Sequence, residues 1–344
     1  MHYMIVNKIE NTRLLKYWLL SLISLVILMI VIGGLTRLTG SGLSITQWEL
    51  FSGLLPPLNI NEWEIYFNLY KEIPQYKLIN SNMSLSEFKI IFFWEYIHRM
   101  LGRLIGLTFI LPFSYFILKS VISKVQINLF LGIFSLILIQ GFIGWYMVKS
   151  GLTNNVSVSH YRLSLHLTLA FIILTCLIWN YLNLISGNSK IFFSKFFAFN
   201  YYKTILLLLF IQVILGAFVS GLDAGKIYQT WPLMGDSFFP NDFIISKITD
   251  VFNFNSHSWV QFLHRINAYI ILLIILILGY KIITKKKNDL LKSYLFVLTG
   301  IIIQSLLGII TLISNLNMTI ASLHQVSSIF LVIVSINLYY KSLN

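Results

Sequence analysis

The chain has 344 residues, of which 57% are hydrophobic and only 11% carry a charged side chain. Its mean hydropathy of +0.79 is far above that of a soluble globular domain, and its single cysteine excludes a disulfide framework or a cysteine metal cluster. The net charge of +13 does not indicate a nucleic-acid partner, because the basic residues are concentrated in short connections between apolar segments. The composition therefore predicts a membrane protein.

Eight apolar segments are each long enough to span a bilayer, which takes about 20 residues per helix. They cover 14–37, 92–118, 126–148, 161–186, 202–222, 258–281, 290–312 and 318–340. The first run is too long for the apolar region of a cleaved signal peptide, so we expect it to be a membrane span. The predicted fold is all-α and polytopic, with eight transmembrane helices.

Lysines in the connections predict how the chain is oriented. Lys119 and Lys124 lie between the second and third spans and five lysines lie in 281–292, whereas the connection between the fifth and sixth spans is net acidic. The positive-inside rule then places both termini on the cytoplasmic side. The spans are expected to contact membrane lipid. The sequence has no transit-like presequence, which favours a bacterial inner membrane.

Histidines lie within the first two turns of the second, fourth, sixth and eighth predicted spans, and all of these enter from the outer side. They are His98, His166, His264 and His324. Their equal depth places any site they form toward the outer, periplasmic face. The remaining histidines, His2, His160 and His257, fall outside the spans or at their rim, so we expect them to be solvated.

An internal repeat relates these histidines. Residues 33–48 align without gaps on 216–231, QGFIG at 140–144 matches QSLLG at 304–308, and the His98-Arg99 pair corresponds to His264-Arg265. The repeat predicts two four-helix bundles, 1–189 and 190–344, which have the same orientation because four is an even number of spans.

The repeated histidines favour metal or haem ligation. A lone histidine in a membrane helix is often only a hydrogen-bonded contact between helices, but pairs repeated at one depth are harder to explain in that way. Neutral imidazole is the usual axial ligand of haem iron, so we predict that His98 pairs with His166 and His264 with His324. Zinc or copper is less favoured, because no Cys, Asp or Met cluster accompanies either pair.

Arginines near these histidines support a porphyrin over a bare ion. Arg99 and Arg265 directly follow histidines, Arg162 lies one turn before His166, and Arg37 ends the first span. Haem propionates are carboxylates that bind guanidinium groups well. The alternative is that the arginines extend to lipid headgroups; it stays open for Arg37 and Arg162, whereas repetition in register favours the haem interpretation for the other two.

The repeat is broken at one acidic residue. Glu95 lies three residues before His98, whereas Gln261 lies three residues before His264, so each shares a helix face with its histidine. An ionisable group at membrane depth costs several kcal/mol by most estimates, so a carboxylate in only one half needs a reason. We predict chemistry in the N-terminal half and a structural or electron-transfer haem in the C-terminal half. The alternative is that Glu95 simply pairs with Arg99.

The motifs resemble those of the haem A synthase family. They are GGLTRLTGSGLS, EYIHRMLGRLIG, GWYMVKSGL, YRLSLHLTLA, DAGKIYQTWPLMGDSFFP, FLHR and LHQ, and they cover most of the chain in the family's order. The first outer loop resembles the form found in mitochondria and related bacteria, which lacks the cysteine pairs of the family's other branch. That loop also contains WEIYFNLY, for which the sequence predicts a short amphipathic helix at the membrane surface. Its role stays open between a lid on the substrate site and an ordinary interfacial anchor.

The resemblance implies an enzyme that oxidises the C8 methyl group of haem O to a formyl group through a hydroxymethyl intermediate, giving haem A. It implies that His264 and His324 ligate a haem b cofactor, that His98 and His166 bind the substrate haem, and that Glu95 is the catalytic carboxylate. Expected partners are haem O synthase (protohaem farnesyltransferase), cytochrome oxidase assembly factors and an unidentified electron donor or acceptor.

Two other functions use some of the same features. A di-haem b-type electron-transfer protein would need the four histidines but would gain nothing from Glu95 at one site. A transporter could be built from four-helix repeats, although such repeats are more often inverted, and two histidine pairs at one depth do not suit alternating access.

Overall fold

The computed structural model describes residues 2–48, 52–154, 156–192 and 200–343, without the side chains of 2–10, 52, 153 and 154. Eight of its helices are long and apolar enough to cross a membrane, which confirms the predicted all-α polytopic fold. They are α1 (His2–Leu38, apolar from Asn11), α4 (Leu85–Leu118), α5 (Lys124–Asn154), α6 (His160–Ser186), α7 (Tyr201–Gly221), α8 (His257–Thr284), α9 (Asn288–Ile313) and α10 (Met318–Ser342). Two shorter helices, α2 (Ile60–Lys71) and α3 (Pro74–Leu78), lie in the first outer loop.

The first compact unit comprises α1 to α5 and residues 160–162 and 169–177 of α6. Its membrane core is aromatic. The Trp18 indole of α1 packs within 5.3 Å, between ring centroids, of Phe109, Phe116 and Phe130, and its N–H donates to the Thr108 carbonyl at 2.8 Å. Because this donor is satisfied, the indole can be buried in the unit at little polar cost.

Helix α4 begins earlier than the sequence predicts, at Leu85 instead of 92. A capping box starts it, in which the Ser84 side chain accepts from the Glu87 N–H and the Glu87 carboxylate accepts from the Ser84 N–H. The extra turns contain Phe88 and Ile91, which are buried against the outer loop. The apolar run used to place the span therefore marks only part of the helix.

The first outer loop packs on this extension of α4. Asn59 caps α2 by accepting from the Glu62 N–H, and α2 buries Trp63, Phe67 and Tyr70. Their rings contact Phe88 or Phe92 of α4 at centroid distances of 5.0 to 6.5 Å. The amphipathic helix predicted from WEIYFNLY is confirmed as a helix, and its buried apolar face is directed at protein.

The second unit comprises α7 to α10 together with residues 163–168 and 178–186 of α6. One core cluster joins all four later spans through aliphatic side chains such as Leu209, Ile275, Val297 and Leu331. Because residues of α6 belong to both units, the predicted division into halves at residue 189 stays a prediction.

Candidate functional site

The side chain of His264, on α8, packs against the backbone of α7 at Gly216. A Cβ atom at Gly216 would lie 3.2 Å from the imidazole Cε1, closer than most Cβ contacts. Glycine therefore lets the ring lie directly on the neighbouring helix. Gly216 is the residue that the repeat aligns with Gly33 of α1.

Gln212, one turn before Gly216, contacts the same histidine. Its amide N–H donates to the His264 carbonyl at 3.0 Å, and its nitrogen lies 3.3 Å from the imidazole Nε2. Its amide oxygen accepts at 2.7 Å from Asn267, whose amide nitrogen also donates to the Leu208 carbonyl at 3.0 Å. Gln212 and Asn267 thus form a polar pair between α7 and α8.

This pair determines which His264 nitrogen carries a proton. The Leu208 and His264 carbonyls can only accept, so Asn267 must present its NH₂ group and Gln212 must present its own NH₂ to the ring. An amide NH₂ cannot accept, so the nearby Nε2 has to be the unprotonated nitrogen. Nε2 therefore carries the lone pair that a metal ligand requires.

His324 of α10 repeats the arrangement against α9. A Cβ at Gly308 would lie 2.9 Å from its Cε1. Gln304 donates from its side chain to the His324 carbonyl at 2.9 Å and lies 3.4 Å from Nε2, and its amide oxygen accepts from the Ser327 hydroxyl. The ring Nδ1 lies 3.1 Å from the Gln304 carbonyl, which can only accept, so Nδ1 is protonated and Nε2 again carries the lone pair.

Both histidines of the second unit therefore suit haem iron. Two neutral imidazoles with unprotonated Nε2 atoms are the donor set of a bis-histidine haem. The residues present fit the group that the sequence predicts, with His264 on α8 and His324 on α10 as its ligands.

Arg265, next to His264, donates to the outer loop between α7 and α8. Its guanidinium contacts the carbonyls of Tyr228 at 3.2 Å, Thr230 at 2.9 Å and Leu233 at 3.1 Å. The Gln261 amide also donates to the Tyr228 carbonyl, at 2.8 Å. Hydrogen-bond donors on α8 therefore order the loop between α7 and α8.

The same loop is stabilised from within by a tyrosine and a carboxylate outside the membrane spans. The Tyr228 hydroxyl donates to Asp242 at 2.7 Å, and this bond raises the pKa of Tyr228. Burial opposes the ionised form of Asp242, but hydrogen bonds from Tyr228 and Ser258 outweigh it and lower the pKa of Asp242. The pair favours the folded loop when Asp242 is ionised.

In the first unit, His98 of α4 packs on α1 in the same manner. A Cβ at Gly33 would lie 2.9 Å from its Cε1. Where the second unit has Gln212 one turn before the glycine, the first has Met29, whose methyl group lies 3.3 Å from where a Cβ of Gly102 would be. The packing of histidine on glycine is repeated, but this glutamine is not.

Glu95 is 3% exposed and receives four hydrogen bonds. Arg99 donates twice to Oε1, at 3.1 Å from Nε and 2.6 Å from a terminal nitrogen, and Oε2 accepts from the Ser44 hydroxyl at 2.8 Å and the Ile45 N–H at 2.9 Å. These donors come from α4 and from the loop after α1. They fix the position of the carboxylate and partly balance its charge.

Arg99 contacts the loop after α1 in the same way that Arg265 contacts the loop after α7. It donates to the carbonyls of Ile45 at 2.8 Å and Gln47 at 3.1 Å. The gapless repeat alignment places these two residues on Tyr228 and Thr230, so both arginines contact equivalent carbonyls. The Glu95–Arg99 ion pair considered from sequence is present, while the role of either arginine toward haem stays a prediction.

The remaining predicted residues are placed as follows. Arg162 donates to the Tyr146 hydroxyl at 3.3 Å and lies over its ring, and Arg37 is half-buried. His166 belongs to the second unit and His98 to the first, so their pairing stays a prediction.

Of the three histidines expected to be solvated, His257 is exposed and the side chain of His2 lies outside the described part. The expectation for His160 was wrong, because its ring is buried against Tyr161.

Several contact residues were missed from sequence, notably Gln212, Gln304, Asn267 and Ser44. A signal for the glutamines was present. Glutamine precedes glycine by four residues at 140–144, 212–216 and 304–308, a spacing that places both side chains on one helix face. The sequence analysis uses two of these three segments, QGFIG and QSLLG, only as evidence of repetition.

Comparison with known proteins gives consistent matches. Residues 16–336 match the model of a family described as "Cytochrome oxidase assembly protein". A haem A synthase of Pelagibacter ubique is 49% identical over 345 residues, which cover 99% of this chain and all of that protein. Haem A synthases of Parvibaculum lavamentivorans (46% identity, 78% of each chain) and Rickettsia felis (39% identity, 95% of this chain and 97% of the relative) are also similar.

Proposed function

Because the chain belongs to the haem A synthase family of cytochrome oxidase assembly proteins, we propose a division of its two histidine pairs between substrate and cofactor. The protein is a multi-pass membrane oxidoreductase that oxidises the C8 methyl group of haem O to a formyl group, by way of a hydroxymethyl intermediate, and so makes haem A for cytochrome oxidase. The proposal concerns which residues do this and where.

His264 and His324 are the proposed ligands of a resident haem b. The support is that both rings lie on glycine, both are in the tautomer that leaves Nε2 unprotonated, and both are held by a glutamine of the neighbouring helix. When bound, haem b supplies one-electron redox chemistry. Arg265 orders the loop beside this site.

His98 and His166 are the proposed ligands of the substrate haem, with Arg99 and Arg162 near its acidic edge. Arg99 already donates to Glu95, Ile45 and Gln47. Its contribution is therefore chiefly to hold the loop and the carboxylate in place, leaving few N–H groups for a propionate. Arg162 has a looser contact, to the Tyr146 hydroxyl.

Glu95 is the proposed catalytic carboxylate, and its presence in one half alone is the observation that carries the proposal. Converting the methyl group to an aldehyde takes two oxidations, during which protons leave and positive charge develops on the substrate. A carboxylate fixed by four hydrogen bonds supplies negative charge there without having to reorganise. Gln261, at the matching position, has no charge to supply.

The setting follows from the charge distribution. We propose a bacterial inner membrane with both termini cytoplasmic and both haem sites toward the outer side, because the lysine-rich connections lie at the opposite ends of the spans from His98, His264 and His324. Haem O synthase is the proposed source of the substrate. Assembly factors of the oxidase and a membrane or soluble redox partner complete the proposed contacts.

The direct test is expression in a host that makes haem O but not haem A, followed by extraction and chromatography of the haems. We expect the hydroxylated intermediate and haem A, together with haem b that purifies with the protein. Bound haem b with no new haem species would instead favour the electron-transfer protein. A purified, folded protein without any haem would contradict the assignment of the histidines.

A further inference from the structure

We propose that the first outer loop positions the carboxylate of Glu95, and that Gln75 of α3 makes the polar contact that does so. Gln75 is a positioning residue in this proposal, because it acts on Glu95 through the turn that follows α1. The proposal rests on the proposed catalytic role of Glu95. It gives the loop a role distinct from the lid and the interfacial anchor that the sequence leaves open.

The turn after α1 presents two of the four hydrogen bonds that reach Glu95, those from the Ser44 hydroxyl and the Ile45 N–H. The chain leaves α1 through Gly40, whose φ of +65° is the left-handed conformation that favours glycine after a helix. The Ser44 N–H donates to the Ser41 carbonyl at 3.2 Å and closes the next turn. The backbone direction at Gly40 therefore determines where Ser44 and Ile45 meet the carboxylate.

Gln75 contacts this turn from the outer loop. Its amide nitrogen donates to the Gly40 carbonyl at 2.9 Å, and its amide oxygen accepts from the Tyr70 hydroxyl at 3.1 Å. The Tyr70 oxygen accepts in turn from the Asn80 amide at 2.8 Å. Gln75 is 7% exposed and Tyr70 is fully buried, so water cannot easily replace these bonds and breaking one leaves a buried polar group unsatisfied.

Apolar side chains join the same two segments. One core cluster contains Leu43 and Ile45 of the turn together with Trp63 and Phe67 of α2 and Phe88 of α4, all of them buried. The turn is therefore packed together with the outer loop and the start of α4. The Gln75 hydrogen bond adds direction to that packing, because a hydrogen bond fixes the carbonyl it reaches and apolar contact does not.

The matching turn of the second unit is closed by a local contact. The repeat aligns Gly40 with Asp223, whose φ of +53° is also left-handed, so the chain reverses in the same way after α1 and after α7. The Asp223 carbonyl accepts from the Lys226 N–H at 3.0 Å, three residues along the chain. The half that contains the carboxylate instead receives its donor from Gln75, 35 residues away.

This contact bears on the chemical step. A carboxylate stabilises developing positive charge best when its own hydrogen-bond donors are already in place. Without the donor from Gln75, the turn can shift and move Ser44 and Ile45 relative to Glu95 while the helices stay packed. We therefore expect Gln75 to affect the rate of oxidation and not the amount of bound haem.

The experiment compares loss of this donor with a defect elsewhere in the same loop. Gln75→Glu keeps the size of the side chain and an acceptor for the Tyr70 hydroxyl, but an ionised carboxylate cannot donate to the Gly40 carbonyl. Asn59→Ala is the matched control, because it removes the N-cap of α2, and the hydrogen bonds of Asn59 are with Glu62. Each full-length variant is expressed in the host that makes haem O, and the initial rate of haem A formation per bound haem b is measured by chromatography.

We expect Gln75→Glu to slow haem A formation about fivefold, less than loss of a donor that contacts Glu95 directly, with haem b content unchanged. Tyr70→Phe removes the hydroxyl that orients the Gln75 amide and should slow the reaction about twofold. Asn59→Ala should leave the rate per bound haem b unchanged. If Gln75→Glu does not accumulate, Tyr70→Phe replaces it in the comparison.

Two double variants give a readout that a merely structural role would not move. Because Gln75 acts through the turn, the loss in Gln75→Glu/Ser44→Ala should be smaller than the product of the two single losses. Gln75→Glu should also not lower the residual rate of Glu95→Gln any further.

An unchanged rate in Gln75→Glu, equal losses in Gln75→Glu and Asn59→Ala, or losses that multiply in the double variants would overturn the positioning role. In each of these cases an inactive Glu95→Gln leaves the proposed function standing. Undiminished haem A in Glu95→Gln would instead contradict the catalytic role of Glu95, and the positioning role with it.

Discussion

The loops that follow α1 and α7, beside His98 and His264, are attached to the helices by the same contacts but with opposite polarity at one position. Arg99 and Arg265 donate to carbonyls that the repeat aligns. Glu95, however, accepts from the Ile45 N–H, whereas Gln261 donates to the carbonyl of the aligned Tyr228. A repeated scaffold can thus keep its packing and change its chemistry through a single side chain.

A second difference follows the same rule. His98 and His264 each lie on a glycine, and the polar pair Gln212–Asn267 lies beside His264, where the repeat aligns Met29 and Leu101 of the first unit. The packing of histidine on glycine is therefore kept in both halves, while the side chain one turn before that glycine differs.

The largest effect is expected at Glu95, the position at which the two halves differ in charge. Glu95→Gln should lower haem A formation by at least about 100-fold, because the charge that stabilises the reaction is lost, while haem b stays bound. Extracted haems and the pyridine haemochrome spectrum measure the two quantities. Ser44→Ala is a milder companion that removes one hydrogen bond to the carboxylate and should cost about tenfold.

Undiminished haem A in Glu95→Gln would remove Glu95 from the catalytic role. A loss of haem b in that variant would point instead to a structural defect, since Glu95 contacts only residues of the first unit in the described structure.

The ligands give the next largest effect. His264→Ala and His324→Ala should each lose most of the bound haem b, because one of its two proposed ligands is removed and a single imidazole would bind the haem more weakly. His98→Ala should retain most of it. Haem-to-protein ratios in purified samples distinguish the variants, and haem b missing only from His98→Ala would reverse the halves.

Alanine substitutions at the glycines beside the histidines should reduce haem b content to different extents. Gly308→Ala should reduce haem b content several-fold, because the added methyl group would lie 2.9 Å from the His324 ring and force it to move. Gly216→Ala should be milder, since the corresponding distance to His264 is 3.2 Å. Gly106→Ala, where no atom lies within 4 Å of the added carbon, is the control. Equal losses in all three would contradict a specific effect on the ligands.

The smallest expected effect concerns the loop between α7 and α8. The pKa of Asp242 is held below its ordinary value of 3.8, so its contribution to loop stability is complete above that pH and is lost as the pH falls through the folded-state pKa. Protease sensitivity of the loop should therefore rise modestly at acidic pH. In Asp242→Asn this pH dependence should disappear, and an unaltered profile would exclude Asp242 as its source.

The spans, the positions of the histidines and the difference between Glu95 and Gln261 could be predicted from the sequence. Apolar length, residue type and repeat register can all be read directly from the chain. It misplaced the start of α4, since residues 85–91 are stabilised by aromatic contacts with α2 that no periodicity of α4 encodes. The contacts of Arg99 and Arg265 with the loops were also missed. Their acceptors are backbone carbonyls, and the direction of a carbonyl in a loop depends on dihedral angles that the residue names do not specify.

The Glu95–Arg99 ion pair lies within a single helix, four residues apart. Two charges that must enter a membrane are therefore partnered as soon as α4 is helical, before α1 or the outer loop has packed against it. Biogenesis of this enzyme consequently does not have to expose a bare carboxylate to lipid while the second unit is still being synthesised. The C-terminal half has the amide of Gln261 at the matching position, so it has no carboxylate to place in lipid.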